Sequence, residues 1–338
     1  MNLAKLIRSA AERPLDEAEA EAAFVEVMEG RATPVQVAAL LVAIRVRGAV
    51  PEEVAGGVRA LRRAMLPVPA AGDVVDTCGT GGGTLTTFNI STAAALVAAG
   101  AGVRVAKHGN RSFTSRCGSA DVLEMLGVRL DLTPEQESWI LDEAGIVFMF
   151  APLHHPAMRH VAPVRSELGM PTLMNILGPL TNPAGAQRQV VGVADPSLLE
   201  LIARALRVLG HKRALVVHGQ PGLDEVSPLG STRVLELRDG NIEEWTLDPV
   251  ADLGMPTFDA ADLAGGEPEE NAATVVAVLK GERHGAARAA VVLNAAAAIY
   301  LSDRAKSLAA AIEQAEAAID DGSGWDCLER LRDASNAA

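Results

Sequence analysis

A glycine-rich stretch between a strand-like and a helix-like segment restricts the fold of this chain most. Residues 79–83 read Gly-Thr-Gly-Gly-Gly, follow the apolar pair Val74-Val75 and precede Ser91-Thr92, which opens an apolar run of Ala, Leu and Val. Glycine lets another group approach the backbone closely, and the N–H groups at a helix start attract anions. The sequence therefore predicts a phosphate or diphosphate site, with Ser91-Thr92 capping the helix.

Two commoner phosphate sites do not fit these residues. The dinucleotide fingerprint G-x-G-x-x-G would need glycine where Thr84 stands, and it would need an acid after the next strand, where the chain has Lys107. The P-loop string G-x-x-x-x-G-K-[ST] does not occur. Neither a nicotinamide site nor a nucleoside-triphosphate site is favoured, and a glycine-rich stretch alone is also typical of an ordinary tight turn.

Composition indicates which folds and partners suit the chain. Its 338 residues predict about two domains, and 49% apolar with only 3% aromatic residues predict a core of Ala, Val and Leu, which suits helices packed on a parallel sheet. The net charge of −13 argues against a nucleic-acid or membrane-surface binder. A phosphate ligand would need local positive charge, which we expect from Lys107, Arg111 and Arg116.

Cysteine usage and hydropathy predict a cytoplasmic protein. Cys78, Cys117 and Cys327 form no C-x-x-C pair, which is typical of a reducing compartment. Cys78 lies beside the glycine loop, but displacement of a diphosphate needs no nucleophilic thiol. We expect neither a signal peptide nor a membrane span, because no apolar run reaches the roughly 18 residues that a span needs.

The order of patterns along the chain predicts the fold class. Residues 1–66 have helical patterns only; strand–helix alternation begins at Asp73, is interrupted over 151–188 by six prolines, and then resumes. Asp239-Gly240 marks a hairpin, and residues 270–334 have helical patterns. We predict an α/β protein with a small all-helical N-terminal domain and a large domain whose mostly parallel central sheet is flanked by helices. The predicted strands are 74–77, 103–106, 146–150, 189–194, 213–218, 233–238 and 242–247.

Several further motifs follow the glycine loop in a fixed order. They are Asn89-Ile-Ser-Thr92, Lys107-His-Gly-Asn-Arg111, Gly118-Ser-Ala-Asp121, His155-Pro-Ala-Met158, Val164-Arg165, Asn175-Ile-Leu-Gly-Pro-Leu-Thr-Asn-Pro183 and Gly222-Leu-Asp-Glu-Val-Ser-Pro228. In this combination the chain resembles the anthranilate phosphoribosyltransferase family over nearly its whole length.

The resemblance implies an enzyme of tryptophan biosynthesis. It would transfer the phosphoribosyl group of phosphoribosyl pyrophosphate (PRPP) to the amine of anthranilate, giving N-(5-phosphoribosyl)anthranilate and pyrophosphate. The resemblance also implies a helical domain of residues 1–70 joined by about 164–185, and a large domain of 71–163 and 186–338. The helical domain would form one wall of the cleft and the interface of a homodimer.

The resemblance further implies the site residues. PRPP would bind at Gly79, Gly82, Gly83, Thr87, Asn89, Ile90, Ser91, Thr92, Lys107 and Ser119. Anthranilate would bind at Gly79, Asn110, His155, Met158 and Arg165, the last suited to a carboxylate. Mg²⁺ would be held by Ser91, Asp224 and Glu225 together with diphosphate oxygens. No general base is predicted: Lys107 and Asn89 would stabilise the transition state, and His108 or His155 would have at most a minor role.

Each of these side chains also has a plainer interpretation. Ser91 and Ser119 suit helix caps, Asp224-Glu225 suits a solvated acidic turn, and Arg165 suits an exposed surface. The chain also departs from the family pattern twice: Gly83 stands where an Asp is usual and Pro171 where an Arg is usual. We expect the first departure to alter metal dependence, and the second removes a polar contact.

Two other functions would also use parts of this sequence pattern. A pyrimidine nucleoside phosphorylase shares the architecture but uses free phosphate and has a lysine beside its glycine loop, whereas Lys107 lies 28 positions beyond Gly79. A non-catalytic paralogue that binds nucleic acid is opposed by the acidic balance and by Asp224-Glu225.

Overall fold

The computed structural model describes residues 2–112 and 116–338. Four helices come first: α1 Leu3–Glu12, α2 Glu17–Met28, α3 Pro34–Arg47 and α4 Pro51–Ala64. The predicted capping box opens α2, since Asp16 accepts from the Glu19 amide and the Glu19 carboxylate accepts from the Asp16 amide. Thr33 caps α3. The sequence patterns marked the starts of α2, α3 and α4 but no separate start for α1.

Seven strands form one sheet, and this confirms the predicted fold class. They are β1 Val75–Gly79, β2 Val105–Gly109, β3 Ile146–Phe150, β4 Arg188–Gly192, β5 Arg213–Gly219, β6 Thr232–Arg238 and β7 Asn241–Leu247. Their order is β3-β2-β1-β4-β5-β6-β7. The first five strands in this order are mutually parallel, and β6 and β7 add the predicted antiparallel hairpin.

Helices cover both faces of the sheet. They are α5 Ile90–Gly100, α6 Ser119–Met125, α7 Pro134–Ala144, α8 Ala151–His154, α9 Ala162–Leu168, α10 Met174–Leu177, α11 Leu199–Val208, α12 Pro268–Leu279, α13 Ala286–Leu301, α14 Leu308–Asp320 and α15 Ser323–Ala337. Helix α13 is buried almost throughout and packs against α5, because its many alanines allow close approach. Among the described residues, no helix has both the length and the apolar character needed to cross a membrane.

Hydrophobic residues form two core clusters, one on each side of the sheet. Val190 and Val191, neighbours on β4, belong to different clusters, because successive strand residues point to opposite faces. One cluster joins the N-terminal helices to α11 and also takes in Val161, Val164 and Leu177 from the proline-rich segment. That segment therefore packs with the N-terminal helices, while the domain boundaries at 70, 164 and 185 remain a prediction.

Two helix starts differ from the sequence expectation. Helix α5 begins at Ile90 with Asn89 as its N-cap, and Asn89 makes no capping hydrogen bond there, so Ser91 lies inside the first turn. Helix α6 begins at Ser119, and its N-cap is Gly118, whose amide donates to the Asp121 carboxylate at 2.8 Å. Both serines stand one or two positions inside the helix rather than at its cap.

Candidate active site

The predicted site lies at the point in the sheet where the strand order reverses, between β1 and β4. Strand β1 has β2 on one side and β4 on the other, and Gly79 at its end pairs with Gly192 at the end of β4. Ligands of parallel α/β sheets bind at such a switch point, beyond the carboxyl ends of the strands. The glycine-rich loop after β1 and the acidic loop after β5 both reach this place.

The glycine-rich loop and the acidic loop are bonded to each other. The Gly81 amide donates to Oδ2 of Asp224 at 3.0 Å. The Thr84 amide donates to the Gly222 carbonyl at 3.0 Å, and the Thr84 hydroxyl donates to the Pro221 carbonyl at 3.1 Å. The structure thus brings together the predicted diphosphate loop and the predicted metal loop, which are more than a hundred residues apart in sequence.

The acidic loop lies directly against the ends of two strands. A Cβ atom at Gly192 would overlap the Asp224 carbonyl, and one at Gly79 would come within 2.7 Å of the Asp224 carboxylate. Glycine is therefore required at Gly192 for the acidic loop to follow this route.

Both predicted metal ligands are half-buried carboxylates. Burial raises the pKa of Asp224. Burial and the neighbouring charge of Asp224 raise the pKa of Glu225 to about 8, although Glu225 accepts a hydrogen bond from the Ser91 amide. Two acids in this position create a place where a cation is favourable.

The donor set fits Mg²⁺ that is shared with a ligand. Over residues 2–112 and 116–338, no three His, Cys, Asp or Glu side chains come together as a metal site. Two carboxylates alone fit Mg²⁺, because this ion usually takes one or two protein carboxylates and completes its shell with phosphate oxygens and water.

Lys107 is a buried cation at the same place. Its Nζ donates to the Thr77 carbonyl and lies 3.3 Å from the Ser91 hydroxyl. Burial lowers the pKa of Lys107, and the nearby acids Asp76 and Glu225 oppose that shift. From the middle of β2 the lysine thus reaches β1 and the start of α5, where the diphosphate was predicted.

The other expected positive charges are already paired. Arg111 forms ion pairs with Asp121 at 2.7 Å and Glu124 at 2.6 Å, and these acids raise its pKa. Arg116 lies 3.8 Å from Glu267, and both side chains are exposed. Of the three cations expected beside the loop, Lys107 therefore remains as the candidate for binding phosphate.

The remaining predicted PRPP residues surround the start of α5 and of α6. Oδ1 of Asn89 accepts from Nδ2 of Asn271 at 2.9 Å, and the Ser119 hydroxyl donates to the Asn110 carbonyl at 3.2 Å. Thr92 is buried, and its hydroxyl has no hydrogen-bond partner among the described residues. The other members of this set are exposed Gly82, half-buried Gly83, Thr87, which bridges to Ala264, and Ile90, whose side chain is in the core.

Two histidines lie together on the side predicted for the aryl ring. The rings of His108 and His155 are 5.1 Å apart, and within the described part of the chain both Nε2 atoms are buried without a partner. Burial and the charge of His154 lower the pKa of His155 to about 4, and burial and His155 lower the pKa of His108 well below its ordinary value. Both rings are neutral near pH 7, which suits a flat apolar ligand.

The predicted carboxylate-binding arginine has no acidic partner in the described residues. Arg165 on α9 is half-buried, and burial lowers its pKa. Met158 is half-buried and packs on the core of the N-terminal helices. Oδ1 of Asn110 accepts from the Arg111 amide at 2.8 Å. The structure records no direct bond among these three residues, and Pro171 is exposed just before α10.

Sequence reasoning missed two buried polar residues that support the site. Asp76, fully buried on β1, accepts from the His108 amide at 3.1 Å and from Nε2 of Gln189 at 3.2 Å. Asn294 on α13 forms hydrogen bonds with the backbone of Val226 in the acidic loop. The available signals were a single amide inside an apolar run for Asn294 and an acid within the predicted strand 74–77 for Asp76.

Comparison with known families agrees with this arrangement. A family model described as the a/b domain of a glycosyl transferase family matches residues 71–325, and its helical bundle domain matches residues 3–65. The fold and the two family matches thus define a glycosyl transferase with a helical bundle domain and an a/b domain.

Individual relatives are more specific. Anthranilate phosphoribosyltransferase of Rubrobacter xylanophilus is 52% identical over 96% of this chain and 95% of its own. That of Thermomicrobium roseum is 53% identical over 96% and 94%. The crystal structure of the Thermus thermophilus enzyme has a TM-score of 0.93 and 44% identity, covering 98% of this chain and 99% of its own.

A more distant structure carries ligands. Anthranilate phosphoribosyltransferase from Saccharomyces cerevisiae in complex with PRPP and Mg has a TM-score of 0.90 at 27% identity, covering 99% of this chain and 98% of its own. The chain belongs to the anthranilate phosphoribosyltransferase family.

Proposed function

We propose that this protein transfers the 5-phosphoribosyl group of PRPP to the amine of anthranilate, the second step of tryptophan biosynthesis. The bond from the ribose C1 to the diphosphate oxygen breaks, a bond from C1 to the amine nitrogen forms, and the nitrogen loses a proton to solvent. The observation that carries the proposal is the junction of glycine-rich and acidic loops at the switch point of the sheet.

The diphosphate of PRPP binds at the glycine-rich loop and the start of α5. The loop amides, the first-turn amides of α5 and the buried Nζ of Lys107 converge there. Negative charge that develops on the leaving diphosphate is stabilised by Lys107 and the α5 dipole, with the amide of Asn89 at the same helix start. The full set is Gly79, Gly82, Gly83, Thr87, Asn89, Ile90, Ser91, Thr92, Lys107 and Ser119.

Asp224 and Glu225 would hold Mg²⁺, with Ser91 as a third contact. The raised pKa of Glu225 supports this assignment, because a cation between the two acids removes their repulsion. When bound with PRPP, the ion neutralises diphosphate charge. A related yeast enzyme has been crystallised with PRPP and Mg.

Anthranilate binds between the sheet and the helical domain. Arg165, half-buried and without an acidic partner in the described residues, pairs with the carboxylate, and the neutral rings of His108 and His155 lie beside the aryl ring. Met158, Asn110 and the Gly79 backbone complete the pocket. Burial lowers the pKa of both imidazoles, that of His155 to about 4, so they are weak proton acceptors and position the ring rather than act as bases.

The helical domain, residues 1–70 with 164–185, carries a homodimer interface. Val35 and Val46 on α3 are 78% and 80% exposed, and Ala39 and Val42 lie between them on the same helical face. Such a stripe is stabilised when a second copy covers it. The described cysteines form no disulfide, which suits a cytoplasmic enzyme.

A fluorescence assay tests the reaction. Purified protein with PRPP and Mg²⁺ should consume anthranilate and release one pyrophosphate for each anthranilate lost. Omitting Mg²⁺ should suppress both signals. Phosphorolysis of thymidine or uridine without anthranilate consumption would instead identify a nucleoside phosphorylase.

A further inference from the structure

Helix α13 carries one polar side chain in its buried centre. Asn294 is 3% exposed and stands in the run Ala290-Val-Val-Leu-Asn-Ala-Ala-Ala-Ala298. A primary amide in such surroundings is unfavourable unless its hydrogen-bonding groups are satisfied. A buried asparagine at this position therefore needs hydrogen-bond partners, which alanine or leucine would not need.

The partner is the backbone of the acidic loop. Oδ1 of Asn294 accepts from the Val226 amide at 2.9 Å, and Nδ2 donates to the Val226 carbonyl at 2.9 Å. The second N–H of Nδ2 donates to the Ala290 carbonyl of its own helix at 2.9 Å. The side-chain amide thus pairs with both polar groups of one residue, as a neighbouring strand would.

Val226 directly follows Asp224 and Glu225. In the described structure, residues 224–226 make no backbone-to-backbone hydrogen bond, although both flanks are bonded: Leu223 to Gly219, and Ser227 to the Thr232 hydroxyl. Asn294 thus supplies hydrogen bonds to the middle of a loop whose backbone groups bond no other backbone group in the described residues.

The hydrogen bonds from Asn294 to Val226, here called the Asn294 clamp, lie close to the two carboxylates. Asn294 and Glu225 line the same small cavity, together with Ser91 and Gly192. On the opposite side a Cβ at Gly192 would overlap the Asp224 carbonyl, and one at Gly219 would come within 2.5 Å of the Glu225 carbonyl. The acidic loop thus contacts the strand ends at Gly192 and Gly219 and is bonded to Asn294. A shift of Val226 would therefore move both carboxylates.

We infer that Asn294 is a positioning residue for the magnesium diphosphate, acting through the Val226 backbone on Asp224 and Glu225. This rests on the proposed function of the acidic loop. Partners that orient metal-binding carboxylates typically contribute about 10- to 100-fold to metal affinity. Loss of the clamp should therefore raise the Mg²⁺ requirement more than it lowers the rate at saturating Mg²⁺.

The test compares Asn294→Leu and Asn294→Ala with the parent. Both remove the Nδ2 donor and the Oδ1 acceptor that bond Val226 without adding charge beside Glu225, and leucine keeps the approximate size of the side chain. Calorimetric titration with Mg²⁺ and pyrophosphate, without turnover, should show about 10-fold weaker binding or more. The half-saturating Mg²⁺ concentration in the assay should rise in parallel, with the KM for anthranilate unchanged.

Ser335→Ala is the matched control. Ser335 on α15 is also fully buried and clamps a distant loop, accepting from the Arg129 amide at 3.0 Å. It should lower the melting temperature without changing Mg²⁺ dependence. Adding an Asn294 change to the double variant Asp224→Asn/Glu225→Gln should not weaken magnesium pyrophosphate binding further, because Asn294 acts through these two carboxylates.

Each other outcome has a distinct meaning. Parent-like binding of magnesium pyrophosphate by folded Asn294 variants would overturn the inference, as would failure of both variants to fold while Ser335→Ala folds. A parent protein that binds magnesium pyrophosphate but forms no pyrophosphate from PRPP in the presence of anthranilate would refute the proposed function and leave the binding comparison valid.

Discussion

The backbone amide of Gly81 donates a 3.0 Å hydrogen bond to the carboxylate of Asp224, which joins the loop after β1 to the loop after β5. A diphosphate that takes the Gly81 amide must replace this oxygen, and a cation on Asp224 weakens the oxygen as an acceptor. Binding of the diphosphate and of the cation are therefore linked, because each favours the change that the other needs.

Replacing Gly83 by Asp should alter the metal dependence. A Cβ at Gly83 would lie 3.3 Å from Oδ1 of Asp224, so a third carboxylate would stand beside the first two. We expect Gly83→Asp to lower the half-saturating Mg²⁺ concentration several-fold and, without Mg²⁺, to lower the melting temperature through repulsion. Gly83→Asn, with the same shape and no charge, should do neither. Superimposable Mg²⁺ profiles of the parent and Gly83→Asp would contradict this.

Removing the charge of Lys107 should reduce turnover strongly. The Nζ group lies 3.3 Å from the Ser91 hydroxyl, at the helix start where the leaving diphosphate gains charge. Losing one such preorganised group typically costs about 10²–10³-fold in kcat. We expect Lys107→Met to show this loss in steady-state kinetics. Lys212→Met, which removes an exposed lysine paired with Asp73, should retain parental rates, and equal effects of the two changes would exclude a specific role.

Arg165 should determine the affinity for anthranilate. A charge-assisted pair with a carboxylate contributes about 1.5–3 kcal/mol, so Arg165→Gln should raise the KM for anthranilate about 10- to 100-fold. The KM for PRPP should not change. Arg159→Gln, on an exposed arginine of the neighbouring helical turn, is the control. A larger effect on PRPP than on anthranilate would assign Arg165 to the sugar donor.

The buried pair Glu137–His154 should make stability depend on pH. Nε2 of His154 lies 2.9 Å from the Glu137 carboxylate. Burial opposes charge on His154, but the hydrogen bond and charge of Glu137 outweigh it and raise its pKa above 6.5. The stabilisation is therefore full below pH 6.5 and is lost as the pH rises through the raised pKa.

His154→Gln should accordingly cost about 3–5 kcal/mol of unfolding free energy at pH 6, because it leaves Glu137 buried alone, and less at pH 8.5. Denaturant titrations at both pH values measure the difference. In the double variant Glu137→Gln/His154→Gln, the unfolding free energy should no longer change with pH because of a titrating group at this position. A constant cost across this range would mean that His154 is neutral in the folded protein.

Local features were predictable from the sequence. The hairpin at Asp239-Gly240 was marked by two residues that tolerate positive φ, which they adopt at 49° and 81°. Strand β3 was predicted with its observed bounds, because both ends of its apolar run are marked. The ends of β1 and β2 were predicted too early, since Cys78-Gly79 and His108-Gly109 do not look like strand residues although they pair in the sheet.

The supports of the site could not be predicted in the same way. The bond from Asn294 to Val226 spans 68 positions, and the bond from Asn271 to Asn89 spans 182. Such pairs follow from how the helices lie on the sheet, which neither periodicity nor a short motif encodes. The motifs predicted candidate ligand-binding residues, whereas the residues that support them were visible only in the packing.

The missing side chain at Gly192 has a consequence for protein engineering. Transplanting the Asp224-Glu225 segment onto another parallel sheet would fail wherever the recipient strand ends in a residue with a Cβ, since the graft would be lifted off the sheet. A designer who transfers this acidic segment must therefore place a glycine at the end of the recipient strand as well as copy the two carboxylates.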